Sequence, residues 1–345
     1  MKIDPLKILW GDYHIVPRNN ICVPYLLDQQ NRVYRVEGDF TLCEKGRVNE
    51  AAIRKMAAFS FHPTEEMAVF LIEGGFAAGD FSGNILWDQP GAFDTVLFSE
   101  SGEEIWTAKH LGKDRIDIQA FSLGGGLIAG KEIADELYDS HLWLFDILHS
   151  EDAGIQLAAG QDGVKVLQLR LDRSSNAITE KEMFPGTSCV EPAWFPDRKQ
   201  LLTLENDERL FCRYSWPELS LAGKQAAPEY EGDDEEFDEG LEPGFSVIAL
   251  DEETAIIQNC RYQYYLFDIG TMTRGEEIRI TGFEPLPTNV FYPSLADDTA
   301  PYSPVMTLAQ IGGLIVGQTG EYVKDQAVLL FRRQEILAGA MGVGR

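Results

Sequence analysis

A chain of 345 residues, 44% hydrophobic and 25% charged, has the make-up of a globular protein with one large core or two ordinary ones, which excludes a disordered chain. Acidic residues outnumber basic ones 56 to 29, for a net charge of −27. A field of that sign repels phosphate backbones and anionic lipid, so neither nucleic acid nor a membrane surface is an expected partner, whereas a basic protein is steered in.

The amino-terminal run MKIDPLKILWGDYHIVP lacks the basic, apolar and small-residue segments of a secretion signal, and no stretch has the roughly 18 to 20 unbroken apolar residues of a membrane span. Within it, LKILW at 6–10 is a strand-like run with no neighbour of its own. A short helix is expected from Asn49, as N-cap, to Met56. The segment from Met67 to Asp88 is the clearest: AVFLIE, Gly74 and Gly75, FAAGDF, Ser82 and Gly83, then NILWD. Two-residue Gly-containing links between apolar runs are hairpin signals, because Gly readily takes the positive φ of the primed turns. The same rhythm continues in TVLFSES, EEIWTAKH, DRIDIQAFS and GLIAGKEI, in PAWFP, QLLTLE, ERLFCRYS and ELSLAGK, and in FSVIAL, TAIIQNC, YQYYLFDIG and EEIRITG.

The rhythm groups the strands in fours. Third strands centre near Tyr34, Gly79, Ile118, Leu167, Phe211, Tyr265 and Leu329, roughly 40 to 65 residues apart, a blade-length repeat. The expectation is an all-β chain, a seven-bladed β-propeller spanning 1–345 as one domain, with six or eight blades as alternatives. LKILW would complete the last blade beside VLLFRR at 328–333 and close the ring, leaving no exposed sheet edge between first and last blades.

The phrases Ile85-Leu86-Trp87-Asp88, Trp143-Leu144-Phe145-Asp146 and Leu266-Phe267-Asp268, with the strand links FSFHPTEEMAVF and AWFPDRKQLLTL, resemble those of the propeller superfamily that includes WD-repeat and related bacterial propellers. The Gly-His dipeptide and structural Asp of WD blades are missing. The resemblance also implies an alternative function, since some propellers are metal-dependent hydrolases or lactonases with carboxylates at the mouth of the central channel; Asp80, Asp117 and Asp162 are candidates for that role.

Two segments break the rhythm. Residues 226–243, AAPEYEGDDEEFDEGLEP, read as an acidic mobile loop, and residues 283–304, FEPLPTNVFYPSLADDTAPYSP, as a Pro- and aromatic-rich inter-blade loop. Both connect a fourth strand to the next first strand, so alternation of strand direction puts them on one rim. That rim is the expected partner-binding surface, since loops on a rigid scaffold concentrate binding residues. Its apolar anchors are Phe283, Phe291, Tyr292 and Tyr302, its acidic residues Asp233, Asp234, Glu235, Glu236, Asp238 and Glu239, and Arg261, Tyr262 and Tyr322 join them from turns.

Catalytic signatures are weak. There is no nucleophile elbow, P-loop or HExxH, and Gly124-Gly125-Gly126 lies between strands, where it reads as a turn. His14, His62, His110, His141 and His149 have no ligand spacing, and His149 with Glu151 and Asp152 reads as a surface turn. Cys22, Cys43, Cys189, Cys212 and Cys260 are scattered and odd in number, consistent with reduced cytoplasmic thiols. Trp87, Phe145 and Phe267 read as inter-blade core. The expected function is a non-enzymatic protein-interaction module, without metal or cofactor, that scaffolds, holds or neutralises a basic partner.

Overall fold

The computed structural model describes residues 1–10, 13–15, 25–28, 30–49, 59–112, 115–134, 142–146, 152–159, 163–185, 193–195, 199–205, 210–226, 247–258, 264–282, 305–311, 314–319 and 327–342. They form 29 strands and one helix. The strands make seven sheets of four or five, and this set of small sheets fits a propeller-like arrangement. The chain divides into two compact units, Met1–Tyr13 with Pro192–Arg345, and His14–Glu191.

The chain opens with β1 (Lys2–Ile3) and β2 (Lys7–Trp10). Four sheets follow, each built from consecutive strands. The first holds β3 (Tyr13–Ile15), β4 (Tyr25–Asp28), β5 (Arg32–Val36) and β6 (Leu42–Arg47). The second holds β7 (Phe59–Phe61), β8 (Met67–Ile72), β9 (Gly75–Asp80) and β10 (Ile85–Pro90). The third holds β11 (Thr95–Phe98), β12 (Glu104–His110), β13 (Arg115–Ser122) and β14 (Leu127–Ala134). The fourth holds β15 (Leu142–Asp146), β16 (Asp152–Ala159), β17 (Gly163–Asp172) and β18 (Ala177–Glu182).

Inside the unit His14–Glu191 the faces of successive sheets are glued by distinct clusters, and strand alternation decides which residue serves which. On β8, Phe70 packs with Tyr25, Phe59, Phe61 and Phe81, while its neighbour Val69 packs with Phe76, Phe98, Ile105 and Phe121. On β12, Ile105 joins that second cluster and Trp106 turns the other way, to Ile118, Ile155, Leu167 and Leu169. A strand clamped on both faces is apolar at every position rather than at alternate ones. Hence β7, β8 and β9 are buried almost throughout, whereas β10, with a neighbour on one side only, is mostly exposed. Phe76 is the aromatic hub, edge-on to Trp87, Phe93 and Phe121 at 5.6, 5.0 and 5.1 Å between centroids.

The second unit contains β19 (Ala193–Trp194), β20 (Gln200–Glu205), β21 (Leu210–Ser215) and β22 (Leu221–Ala226). Next come β23 (Val247–Ala249), β24 (Thr254–Gln258), β25 (Tyr264–Asp268) and β26 (Thr273–Ile280), with β1 added in parallel outside β26. The last sheet is β27 (Val305–Ile311), β28 (Leu314–Thr319) and β29 (Ala327–Arg332), completed by β2. One cluster, with Ile256, Tyr264, Ile278, Ile315, Leu329 and Phe331, joins the last two sheets, and Met1, Ile3 and Ile8 pack against it.

Each of the seven residues read as marking a third strand lies on the third strand of its sheet, Tyr34 on β5 through Leu329 on β29. The pairing of 6–10 with the final strand also holds: Lys7 to Trp10 face Leu330 to Ala327, antiparallel. Three details differ. The first tight turn is Glu73 with Gly74, at φ 81°, and Gly75 already pairs with Ile72 in β9, where the carbonyl of Gln89 lies against it and leaves no room for a Cβ. The second link is four residues, 81–84, because Asp80 accepts from the backbone N–H groups of Ser82 and Asn84 and closes a wider loop. Finally, a helix, α1 (Arg333–Gly342), follows β29; its Ile336 is buried in the cluster of the last two sheets, so one anchoring residue stands where alternation would have continued a strand. The proposed helix from Asn49 to Met56 lies outside the described residues beyond Asn49, as do both irregular loops, 226–243 from residue 227 onward and 283–304 up to residue 304.

Candidate functional site

The hairpins that follow β9, β13, β17, β21 and β25 share a local device. An acidic or hydroxyl residue ends the third strand and accepts the N–H groups of the turn that follows. Asp80 takes Ser82 and Asn84 N–H at 2.9 and 2.8 Å and the Asn84 amide at 2.9 Å, which together hold its carboxyl below the usual range, the Asn84 side-chain bond foremost. Asp172 takes the Ser174 and Ser175 hydroxyls, each at 2.6 Å, and these bring it down to about 2. Asp268 takes the Thr271 N–H at 2.7 Å and is lowered by it. Asp28 plays the equivalent part between β4 and β5. Burial alone would raise its pKa, but the N–H groups of Gln30 and Arg32, and the Arg32 guanidinium at 2.7 Å, bring it below the usual value.

A second set of polar groups links neighbouring sheets of the unit His14–Glu191. His62 directly follows β7, opens the link to β8 and is 3% exposed. Its Nδ1 accepts from the N–H groups of Thr64 and Glu65 at 3.2 and 2.9 Å, so the proton sits on Nε2, which donates to the carbonyl of Gly102 at 3.0 Å. Burial pushes the imidazole below its ordinary value, only partly offset by the Gly102 carbonyl. Ser60 Oγ accepts from Phe98 N–H at 3.0 Å, a second tie between the same sheets. On the far side of the β11–β12 turn, the fully buried Glu104 carboxylate accepts from Ser99 Oγ at 2.9 Å and pairs with Arg173, which also reaches Glu103 at 2.6 Å. A polar seam thus runs from the second sheet through the third to the fourth.

Chemically this seam is a clamp. A general base needs a free ring nitrogen aimed at a substrate proton, and both nitrogens of His62 are bonded to backbone. Ser99 is engaged by Glu104, and Glu104 by Arg173. Of the carboxylates considered for a channel mouth, Asp80 has both oxygens bonded within its own turn, and Asp117, on β13, accepts from Gln119 at 2.7 Å; Asp162 lies outside the described residues. Among the described residues there is no group of three or more His, Cys, Asp or Glu arranged to hold a metal ion.

The unit with both chain ends carries a different feature. Residues Met1 to Trp10 run as a strap over two neighbouring sheets. The Met1 amino group donates to the Glu277 carbonyl at 2.6 Å and meets Glu276 at 3.3 Å; Arg279 N–H donates to Met1 O and Thr281 N–H to Ile3 O, at 2.8 and 2.9 Å. After Pro5 the same strand crosses to the last sheet and becomes β2. Leu9 is buried, whereas Leu6 and Trp10 are 45% and 49% exposed.

The partner-binding residues expected from sequence, Phe283, Phe291, Tyr292, Tyr302, Arg261, Tyr262, Tyr322, Asp233, Asp234, Glu235, Glu236, Asp238 and Glu239, all lie outside the described residues, as do His141, His149 and Glu151. Trp87 and Phe267 take the inter-sheet positions foreseen for them: Phe267 is buried, and the Trp87 indole N–H donates to Leu123 O of the next sheet at 2.7 Å. Sequence reading missed His62, Gly102, Glu104 and Arg173. The available signal was Glu104 itself, a carboxylate that alternation with Ile105 and Trp106 forces inside.

The chain matches no protein-family model and no curated protein. Among the described residues no helix is long and apolar enough to cross a membrane.

Proposed function

We propose that the seven sheets form one ring of blades, closed by the N-terminal strand, and that the molecule is a non-enzymatic interaction module that binds a basic protein. The observation that carries this reading is a combination: Leu6, Trp10, Ile85, Leu86, Leu127 and Leu221 stand exposed on outermost strands or at their ends, on a chain of net charge −27. Apolar anchors set in a field of one sign favour a partner of the opposite sign, with charge setting the encounter rate and apolar contact the residence time. The loops 226–243 and 283–304 belong to the same reading as a rim that contributes acidic and aromatic contacts.

Affinity capture with the purified full chain tests it. Basic proteins should be retained at about 50 mM salt and released near 500 mM, where the screening length shrinks to a few ångströms. Capture that ignores salt, or stoichiometric Ca²⁺ or Zn²⁺ on the purified protein, would count against it. Deleting 229–242 should weaken capture; if every captured protein is unchanged, the acidic loop is decoration.

A further inference from the structure

We infer that Arg213, on β21, is a subsite for a single carboxylate, taken up on the guanidinium edge formed by Nε and Nη2 beside Gly223 of β22. The inference concerns one local charge and stands apart from the basic-partner reading, so neither falls with the other. On β21, Phe211 packs against Phe267 of the next sheet, 5.2 Å between centroids. Arg213 lies two residues on and so points to the same side, where its Nη1 donates to the carbonyl of Ile269 at 3.0 Å. Among the described residues that is its one hydrogen bond, and it makes no ion pair. Asp268, just before that carbonyl, spends its carboxylate on the Thr271 N–H at 2.7 Å. On a chain with 56 acidic residues and 29 basic ones, a half-buried guanidinium without a carboxylate stands out.

The unused part of the group has the shape of a receptor. Arg213 Nε is sealed from solvent and has no acceptor, a donor that calls for a partner. Nη2 has no acceptor either but is not sealed, so an anion reaches it from outside. With Nη1 held by Ile269, Nε–H and Nη2–H form the parallel fork that matches the two oxygens of a carboxylate. Gly223 faces that fork. A Cβ there would lie 3.8 Å from Nη2 and 3.9 Å from Nε, with Met272 Cγ at 3.4 Å and nothing nearer. The side chain that glycine lacks therefore leaves a gap close to where a carboxyl carbon stands when its oxygens accept at about 2.8 Å. Arg213 pairs with Gly223 and Tyr214 with Leu221, so Ala222 is the extra residue of a bulge, a device that re-aims strand groups. β22 is outermost among the described strands of its sheet and Gly223 is half-exposed, which gives the ligand its route, while the flexible Met272 side chain lines it. A gap of one side chain suits a planar monoanion, and a net charge of −27 opposes a dianion more strongly.

The test follows the arginine Nε–H resonances of the nitrogen-15-labelled full chain by NMR, with the Arg213 signal assigned by its loss in Arg213→Lys. Sodium acetate, titrated against sodium chloride at constant ionic strength, should shift that resonance to saturation and leave the other arginine signals as chloride leaves them. Gly223→Ala places its methyl group in the gap in ordinary van der Waals contact, so its melting temperature should stay within about 3 °C while the acetate Kd rises about tenfold or more. The second readout is a melting temperature higher in acetate than in equal chloride, lost in Arg213→Lys, which keeps the charge but not the fork; it serves if Gly223→Ala does not fold. Acetylated Gly-Leu with a free carboxylate, binding tighter than acetate while its amide does not bind, assigns the source to a chain end; acetate binding tighter than the peptide assigns a small free acid. No acetate-dependent shift, an equal shift with chloride, a response to inorganic phosphate alone, or equal acetate binding by Gly223→Ala would each overturn the assignment.

Discussion

The His62 imidazole donates from Nε2 to the carbonyl of Gly102, 3.0 Å away across two neighbouring sheets. Gly102 has φ of +75°, and a Cβ there would meet His62 and fall 2.9 Å from Pro63 Cγ. Backbone strain and collision act together, so Gly102→Ala should destabilise the unit His14–Glu191 by about 2–4 kcal/mol. Denaturant unfolding measures it; a loss under half a kcal/mol would show that the turn gives way freely.

The same ring makes stability pH-dependent. The folded imidazole has a pKa below its unfolded value of 6.5, so the unfolded chain binds the extra proton. The contribution is fully present above pH 6.5 and is lost as pH falls through the folded value, because a protonated Nδ1 repels the N–H groups of Thr64 and Glu65. Stability measured between pH 5 and 7 should slope upward with pH, and His62→Gln should flatten that slope. A slope unchanged in the variant would assign it to other groups.

Glu104 and Arg173 should be strongly coupled. Removing the guanidinium leaves a wholly buried carboxylate alone with Ser99 Oγ, which costs about 3 kcal/mol or more. Arg173→Ala should therefore destabilise more than Arg173→Ala combined with Glu104→Gln, a sign reversal that a double-mutant cycle reads directly. Additive losses would show that the pair is not a functional link between the third and fourth sheets.

The strap predicts a split effect. Ile3→Asp puts a charge where β1 meets the cluster of the last two sheets, and Leu9→Ala opens a cavity under β2. Each should cost about 2–3 kcal/mol. Hydrogen exchange should then speed up on β26 in the first variant and on β29 in the second. Uniform acceleration across both sheets in both variants would mean that the strap acts as one element.

Much of the architecture was readable from local signals. Tyr34, Gly79, Ile118, Leu167, Phe211, Tyr265 and Leu329 were placed on third strands because alternation and turn residues act over a few positions of chain. The near-continuous burial of β8 and β9 also left its mark, as AVFLI and GFAAG. The proposed binding surface was less legible. Bulges such as that between Ile85 and Trp87, which blunt most outer edges, have no reliable sequence signature. Leu6 and Trp10 read as ordinary strand residues until β2 is seen to be outermost among the described strands of its sheet.

What the amino-acid order determined by itself was the strand rhythm, the grouping in fours and the acidic field, because hydrophobic period, turn chemistry and net charge are properties of short windows or of sums. Only the tertiary structure decided that His62 is held by Gly102, that Glu104 is neutralised by Arg173, that Met1 is anchored at Glu277, and that Ile336 pins a helix to the final sheets. Those partners are far apart along the chain. Their bonds exist only after the sheets have packed, since a buried polar group takes whichever partner the fold brings within hydrogen-bonding distance.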